Sequence, residues 1–417
     1  MQIFITKRII YPKRVKYSIM CFHRGCDLLN SKIIAAIIII ILVVAAVGVG
    51  VFYLSKDKDK EINILAGVNT DGSGIYIKED IDIDTMFDFS KEKPEPLRDG
   101  WVGKVFGTPG ISTIQHVQLL QIVESMDMKF AAYTVGGNNS APDTVYFISG
   151  IANASLALGN DIIDGGSLWQ PQYQKIIDDD KFKALVLTND LFPGHACCVI
   201  AGYHGYTSSH EDETVRLLAA YIMAVDWVND ALEAGEGDDY NELVRIAKNL
   251  AGPNFNEAEI IEDAMETVIY TYGERNNTPL AYLSEQIPGL AEDMVSLGAT
   301  QKTLADSGFN NGTEFANRFI DDSFIKKAFA LLDSGEEYTG PKADVRIAVI
   351  AGDIHQIAIH VAKELGFFEL YGLNVSFSNA TNGTGVATAI QNGDASFGLL
   401  GAPPITITVI NGELVKA

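Results

Sequence analysis

Cysteine is scarce in this sequence. Two of its four cysteines, Cys21 and Cys26, precede the one long uncharged run, and the other two, Cys197 and Cys198, are adjacent, so no disulfide framework holds the fold together. Bases are also few. Against 54 Asp and Glu stand 31 Lys and Arg, which excludes a nucleic-acid partner, because phosphate binding needs clustered positive charge. No nucleophile elbow, Walker phosphate loop or HExxH metal motif occurs. Hence no enzyme activity, no cofactor and no resident metal are expected.

An apolar fraction of 47% over 417 residues is enough for a substantial core and excludes a disordered chain. Residues 33–54 carry no charge and consist almost wholly of Ile, Val, Ala and Leu. Such a run is long enough to cross a bilayer as a helix. Lys7, Arg8, Lys13, Arg14, Lys16, Arg24 and Lys32 precede it against the single acid Asp27. The positive-inside tendency therefore puts 1–32 in the cytoplasm and everything after 54 outside, tethered to the cell membrane by one pass. A cleaved signal peptide is the competing reading, although its apolar core is about 7–15 residues.

Beyond a charged linker at 55–61 the pattern is strand-like at 62–68 and 74–78, with the turn-forming NTDGSG between. A polar stretch with Pro94 and Pro96 reads as a crossing between lobes. Strand-then-helix units follow from 104 to 203, and helices dominate from 212 to 332. After a turn-rich junction at 338–342 a second α/β pattern opens. Ile354, Ile357, Ala358, Val361, Ala362 and Leu365 line one face of a helix there, and Pro403 or Pro404 opens another. The expected units are thus 62–99, a first lobe's part and crossing; 100–203, a second lobe; 204–340, helices completing the first lobe; and 341–417, its displaced opening.

That displacement rests on particular residues. IAVIAGDIHQIAIHVAKELGFFELYGLNV (347–375) and NGDASFGLLGAPP (392–404) resemble the opening of solute-binding proteins of the nitrate, sulfonate and taurine class of ABC importers, and are similar also to thiamine-pyrimidine precursor synthases. INILAGVNTDGSG (62–74) resembles what normally follows, while GKVFGTPGISTIQH (103–116) and DIIDGGSLWQPQY (161–173) resemble the family's second lobe. The resemblance implies an α/β, two-lobed periplasmic-binding-protein-like (type II) fold, circularly permuted, behind an N-terminal transmembrane helix. It implies capture of a small, anionic solute for an ABC permease and ATPase. A truncated tandem array, in which the tail begins a lost second copy, also fits the order. Neither the synthases' lysine-bearing cofactor motif nor their extended cysteine cluster is present, which weighs against catalysis. A metal- or cofactor-dependent relative of those enzymes, or a sensor that does not transport, are the alternatives.

In an open α/β lobe ligands bind beyond the carboxyl ends of strands, where loops enter helix N-termini and backbone N–H groups favour anions. The candidate contacts are Gly352, Asp353, His355 and Gln356; Asn382, Gly383 and Thr384; Gly401, Ala402 and Pro403; Asn69, Thr70 and Ser73; and, in the second lobe, Thr108, Gly110, Ser112, Thr113 and Trp169. Each loop taken singly reads equally as an ordinary capped turn, and Trp169 equally as core. His195, Cys197 and Cys198 have soft-metal ligand types. A regular strand, however, sends adjacent side chains to opposite faces, so buried strand cysteines are expected unless the backbone is distorted. Asn-x-Ser/Thr sequons, among them those at Asn138, Asn153, Asn276, Asn311, Asn379 and Asn382, are compatible with surface glycosylation.

Overall fold

Alternating apolar runs of the chain become fourteen strands in a computed structural model that describes residues 62–255, 257–273 and 280–412. The basic N-terminus, the expected anchor at 33–54, the linker and Asn276 lie outside these residues. Among the described residues no helix is long and apolar enough to cross a membrane. In chain order the strands are β1 (Ile62–Asp71), β2 (Ser73–Lys78), β3 (Phe87–Asp88), β4 (Glu95–Pro96), β5 (Val105–Thr108), β6 (Lys129–Ala132), β7 (Thr144–Ser149), β8 (Gly165–Trp169), β9 (Phe182–Leu187), β10 (Ala196–Tyr203), β11 (Val268–Tyr270), β12 (Ala343–Ile350), β13 (Leu373–Ala380) and β14 (Phe397–Gly401).

Two six-stranded sheets divide the molecule into lobes, with orders β11-β1-β10-β14-β12-β13 and β6-β7-β5-β8-β2-β9. Each sheet is mixed. Parallel pairs (β12 with β13 and β14; β5 with β7 and β8) adjoin antiparallel strands that flank the crossings between lobes (β1 and β10; β2). The tail strands β12–β14 therefore share one sheet with β1, with β10 between, and complete the first lobe. Val345, Ile347, Leu399 and Leu400 are buried in the same hydrophobic cluster as Ile64, Ile200 and Leu217.

The chain changes lobe at positions other than the polar stretch with Pro94 and Pro96 and the unit boundary at 203. It leaves the first sheet at Asp71 and enters the second at Ser73, so the outward crossing is the single residue Gly72; it returns between Leu187 and Ala196. The boundary expected near residue 99 thus moves to Gly72, and that near 203 moves to the 188–195 segment. The proline-bearing stretch instead carries the small β3–β4 hairpin on the second lobe, packed by Phe87 against the fully buried Trp101. The last part of the helical region is two helices, Gly312–Phe319 and Ser323–Ser334, parted by extended Ile320, which bridges to Ile64. Among the sequons, Asn153, Asn311 and Asn382 are helix N-caps whose side chains accept backbone N–H groups, a structural reason for Asn followed by small residues there.

His116 on the helix Ile114–Ser125 is buried in the second lobe, edge-on to Phe147 and 3.2 Å from Thr108 Oγ1. Burial pushes its pKa down to about 4. The folded value lies below the unfolded one, so this contribution to stability is intact above the unfolded value of about 6.5 and is lost as pH falls toward 4. Denaturation at pH 7 and pH 5 should show the natural protein losing roughly 2 kcal/mol more than His116→Gln over that interval. Equal losses would mean that the buried imidazole is not held neutral.

Candidate functional site

Three helix N-termini meet where the lobes face each other. In the second lobe Thr113 caps the helix Ile114–Ser125: its side chain accepts the His116 N–H while donating to the Gly110 carbonyl at 2.8 Å. In the first lobe Asn382 caps Gly383–Gln391 by accepting the Gly385 N–H at 3.0 Å. Gly401 leads into Ala402–Asn411, with proline in its first turn, where a missing N–H costs no intrahelical bond. Together with Gln115 and Trp169 from one lobe, and Ile350, Asp353, His355, Cys197 and Cys198 from the other, these ends enclose a void of about 60 Å³. A water needs about 10–15 Å³ on this measure, so the closed cleft has room for an ion and a few heavy atoms.

The floor of the cleft is chemically the richest part of the molecule, and it depends on an irregular strand. Between β1 and β10, Asn69 pairs with Cys198 and Thr70 with Ala196, which leaves Cys197 as the extra residue of a β-bulge. The expected separation of the two thiols onto opposite faces is therefore corrected. Both are buried, with their sulfurs 3.8 Å apart, and Cys197 Sγ is also 3.8 Å from His355 Nδ1. His355 Nε2 donates to the Gly72 carbonyl at 2.8 Å, and Nδ1 lies 3.3 Å from Asp353 Oδ1. The site thus sits directly on the outward crossing.

Its charges are paired. A hydrogen bond from Cys198 holds the Cys197 thiol well below its usual range, with burial opposing and the His355 charge assisting. The same hydrogen bond, together with burial, holds Cys198 well above that range. Burial works to lower the His355 pKa, but the negative charges of Cys197 and Asp353 outweigh it and keep it at about 9. Asp353 is pushed up to about 6 by burial, against the pull of His355. Cys197 and His355 thus shift in opposite directions, each favouring the charged form of the other, which offsets the desolvation cost that a lone buried charge would carry. No Lys or Arg lines this cleft.

Eight of the residues expected as contacts line the void: Thr113, Trp169, Asp353, His355, Asn382, Gly383, Gly401 and Pro403. The other expected contacts do not line it, and several are committed elsewhere. Both polar ends of the Gln356 amide are engaged by backbone, its oxygen accepting the Ile350 N–H and its nitrogen donating to the Leu399 carbonyl. Asn69 donates to the Asp71 carbonyl, and Thr70 donates to the Asp71 carboxylate. Ser73 Oγ accepts from Gln115 Nε2, while Thr108 sits against His116. Gly352, Gly110, Ser112, Thr384 and Ala402 stand around the loops without facing the void. Gln115 and the cysteine pair are the polar groups that sequence reasoning left out of the contact set. The proximity of Cys197 to His355, 158 residues apart, has no local signal. His195 is paired with Asp71 Oδ1 at 3.2 Å and joins a separate cavity of about 310 Å³, where the buried amide of Gln118 has no partner.

Two α/β lobes joined by two crossings and closed on a shared cleft make a periplasmic-binding-protein-like architecture. Within it, residues 354–417 match the NMT1/THI5 like family model, so the resemblance carried by the tail holds over that segment. No curated protein matches the chain. Among solved structures it is similar to the ligand-binding component of an ABC-type import system from Staphylococcus aureus with zinc bound, at 17% identity, covering 66% of this chain and 76% of that one, with a TM-score of 0.40. It is also similar to the periplasmic nitrate-binding protein NrtA from Synechocystis PCC 6803, at 12% identity, covering 65% and 68%, with a TM-score of 0.45.

Proposed function

We propose that this chain is an extracytoplasmic solute-binding protein, tethered by residues 33–54, which closes its two lobes on a small solute with an anionic group and presents it to an ABC permease and its ATPase. One observation carries this reading: the void between the lobes is lined from both sides and bounded by the N-terminal ends of three helices, each a source of positive potential. Gly72 and the 188–195 segment are the hinge, since no other described backbone joins the two sheets. The chain order is that of a circular permutant, with its opening units at the C-terminus, and this accounts for a tail that completes the sheet of β1.

The mechanism is capture and release without bond chemistry. The full chain in detergent, screened by thermal shift against oxoanions, sulfonates, carboxylates and pyrimidines, should be stabilised by one chemical class; saturation at about 100 times Kd adds roughly 2.7 kcal/mol. The bound compound should be recovered unchanged. No shift across the whole set, or recovery of a converted product, would contradict the proposal.

A further inference from the structure

We propose that Cys197, Cys198 and His355 hold one thiophilic cation of the Zn(II) kind, with a fourth coordination position open to the cleft. Two of the three spacings are close to those of a tetrahedral site. Zinc–sulfur bonds of about 2.3 Å at a tetrahedral angle put two sulfurs about 3.8 Å apart, and zinc–nitrogen bonds of about 2.0–2.1 Å put sulfur and nitrogen about 3.6 Å apart. Here the two sulfurs are 3.8 Å apart and Cys197 Sγ is 3.8 Å from His355 Nδ1, with all three ligand atoms within 4.8 Å of one another.

Two further features are built for ligation. The bulge at Cys197 places on one side of the strand two sulfurs that a regular strand would separate. The His355 ring is fixed by the hydrogen bond from Nε2 to the Gly72 carbonyl, the usual outer partner of a metal-bound histidine, which aims Nδ1 at the thiols. The three groups supply soft donors, which select zinc-like or cuprous ions over hard ones. No fourth His, Cys, Asp or Glu among the described residues joins the group, and all three ligands line the void. Three protein ligands and an open position form a site that takes an exogenous donor. This inference rests on the solute-binding reading: two thiolates and a neutral imidazole leave a divalent ion uncharged overall, ready to accept the solute's anionic group.

The test uses the full chain carrying Cys21→Ser and Cys26→Ser, reduced and stripped of metal, and titrated with Co(II) as a spectroscopic stand-in. A thiolate-to-cobalt charge-transfer band should saturate at one equivalent and collapse on addition of Zn(II). Cys197→Ser and Cys198→Ser should each weaken binding at least tenfold, and His355→Gln should weaken it while the band persists; far-UV circular dichroism and thermal melts check that each variant is folded. Absence of the band from protein with two titratable thiols, or a band unchanged when Cys197→Ser and Cys198→Ser are combined, overturns the site. Solute screening with a chelator present separates the two claims. A shift that survives chelation in protein lacking the band removes the metal and leaves the receptor. A normal band without any solute shift leaves the metal and removes the receptor.

Discussion

A chain that stops at Gly340 will fail to give a cooperatively folded protein. The cut removes β12, β13 and β14, half of the first lobe's sheet, and strips β10 of the partner that pairs with it from Cys198 to Gly202. It also removes the helix Ile357–Glu364, which packs on the helices Glu211–Ala234 and Asp238–Ala251 in the main core. The apolar area lost includes Val345, Ile347, Val349, Ile357, Phe397 and Leu400, all nearly or wholly buried. At about 1.5–3 kcal/mol for each such side chain, the loss exceeds the roughly 5–15 kcal/mol that stabilises a whole domain. Urea denaturation followed by circular dichroism should show no cooperative transition from the first lobe. A re-ordered chain that begins at residue 341, runs to 417 and continues through 56–340 should recover one, because every strand keeps its neighbours. Unfolding of the truncated chain at an unchanged midpoint would mean that the tail is an appendage.

Substitution of Gly72 by alanine should be the most damaging single change at the cleft. Gly72 has φ of +80°, a conformation that costs an L side chain about 1–2 kcal/mol. The methyl carbon of an alanine there would stand 2.4 Å from His355 Nε2 and 2.7 Å from Val268 Cγ2, so one of these must move. The glycine carbonyl also accepts from His355 Nε2 and from the Gln170 N–H, tying the first lobe, the crossing and the second lobe together. Strain, the clash and a disturbed pair of hydrogen bonds should together cost on the order of 3 kcal/mol of stability. They should also abolish the solute-dependent thermal shift, because His355 cannot keep its place. Calorimetry with and without the screened solute checks both effects; normal stability together with a normal shift would contradict this account of the crossing.

How much of this was legible in the sequence differs from element to element. The βα units of the tail were readable because each carries its own period, and their strands lie in the sheet of β1. Loop residues such as Asp353, His355, Asn382 and Thr113 were readable because strand ends and helix caps have local signatures. The outward crossing was not. A single glycine between two apolar strands looks like a hairpin turn, and only the strands' partners, β10 on one side and β8 on the other, show that they belong to different sheets. The bulge at Cys197 depends on the register against β1, more than a hundred residues earlier in the chain, and so left no mark in the local alternation. Gln356 shows the converse: it stands in the right loop, yet its amide is spent on Ile350 and Leu399, an assignment that composition cannot make.

The most direct test of the receptor itself is the position of a bound solute, determined in a crystal structure of the full chain with the compound that gives the largest thermal shift. The account predicts one molecule enclosed between the lobes, its anionic group toward the helix N-termini at Thr113, Asn382 and Gly401 and its flank against Gln115 and Trp169. A solute found in the cavity beside Gln118 and Asp293, or on the outer surface of either lobe, would contradict it.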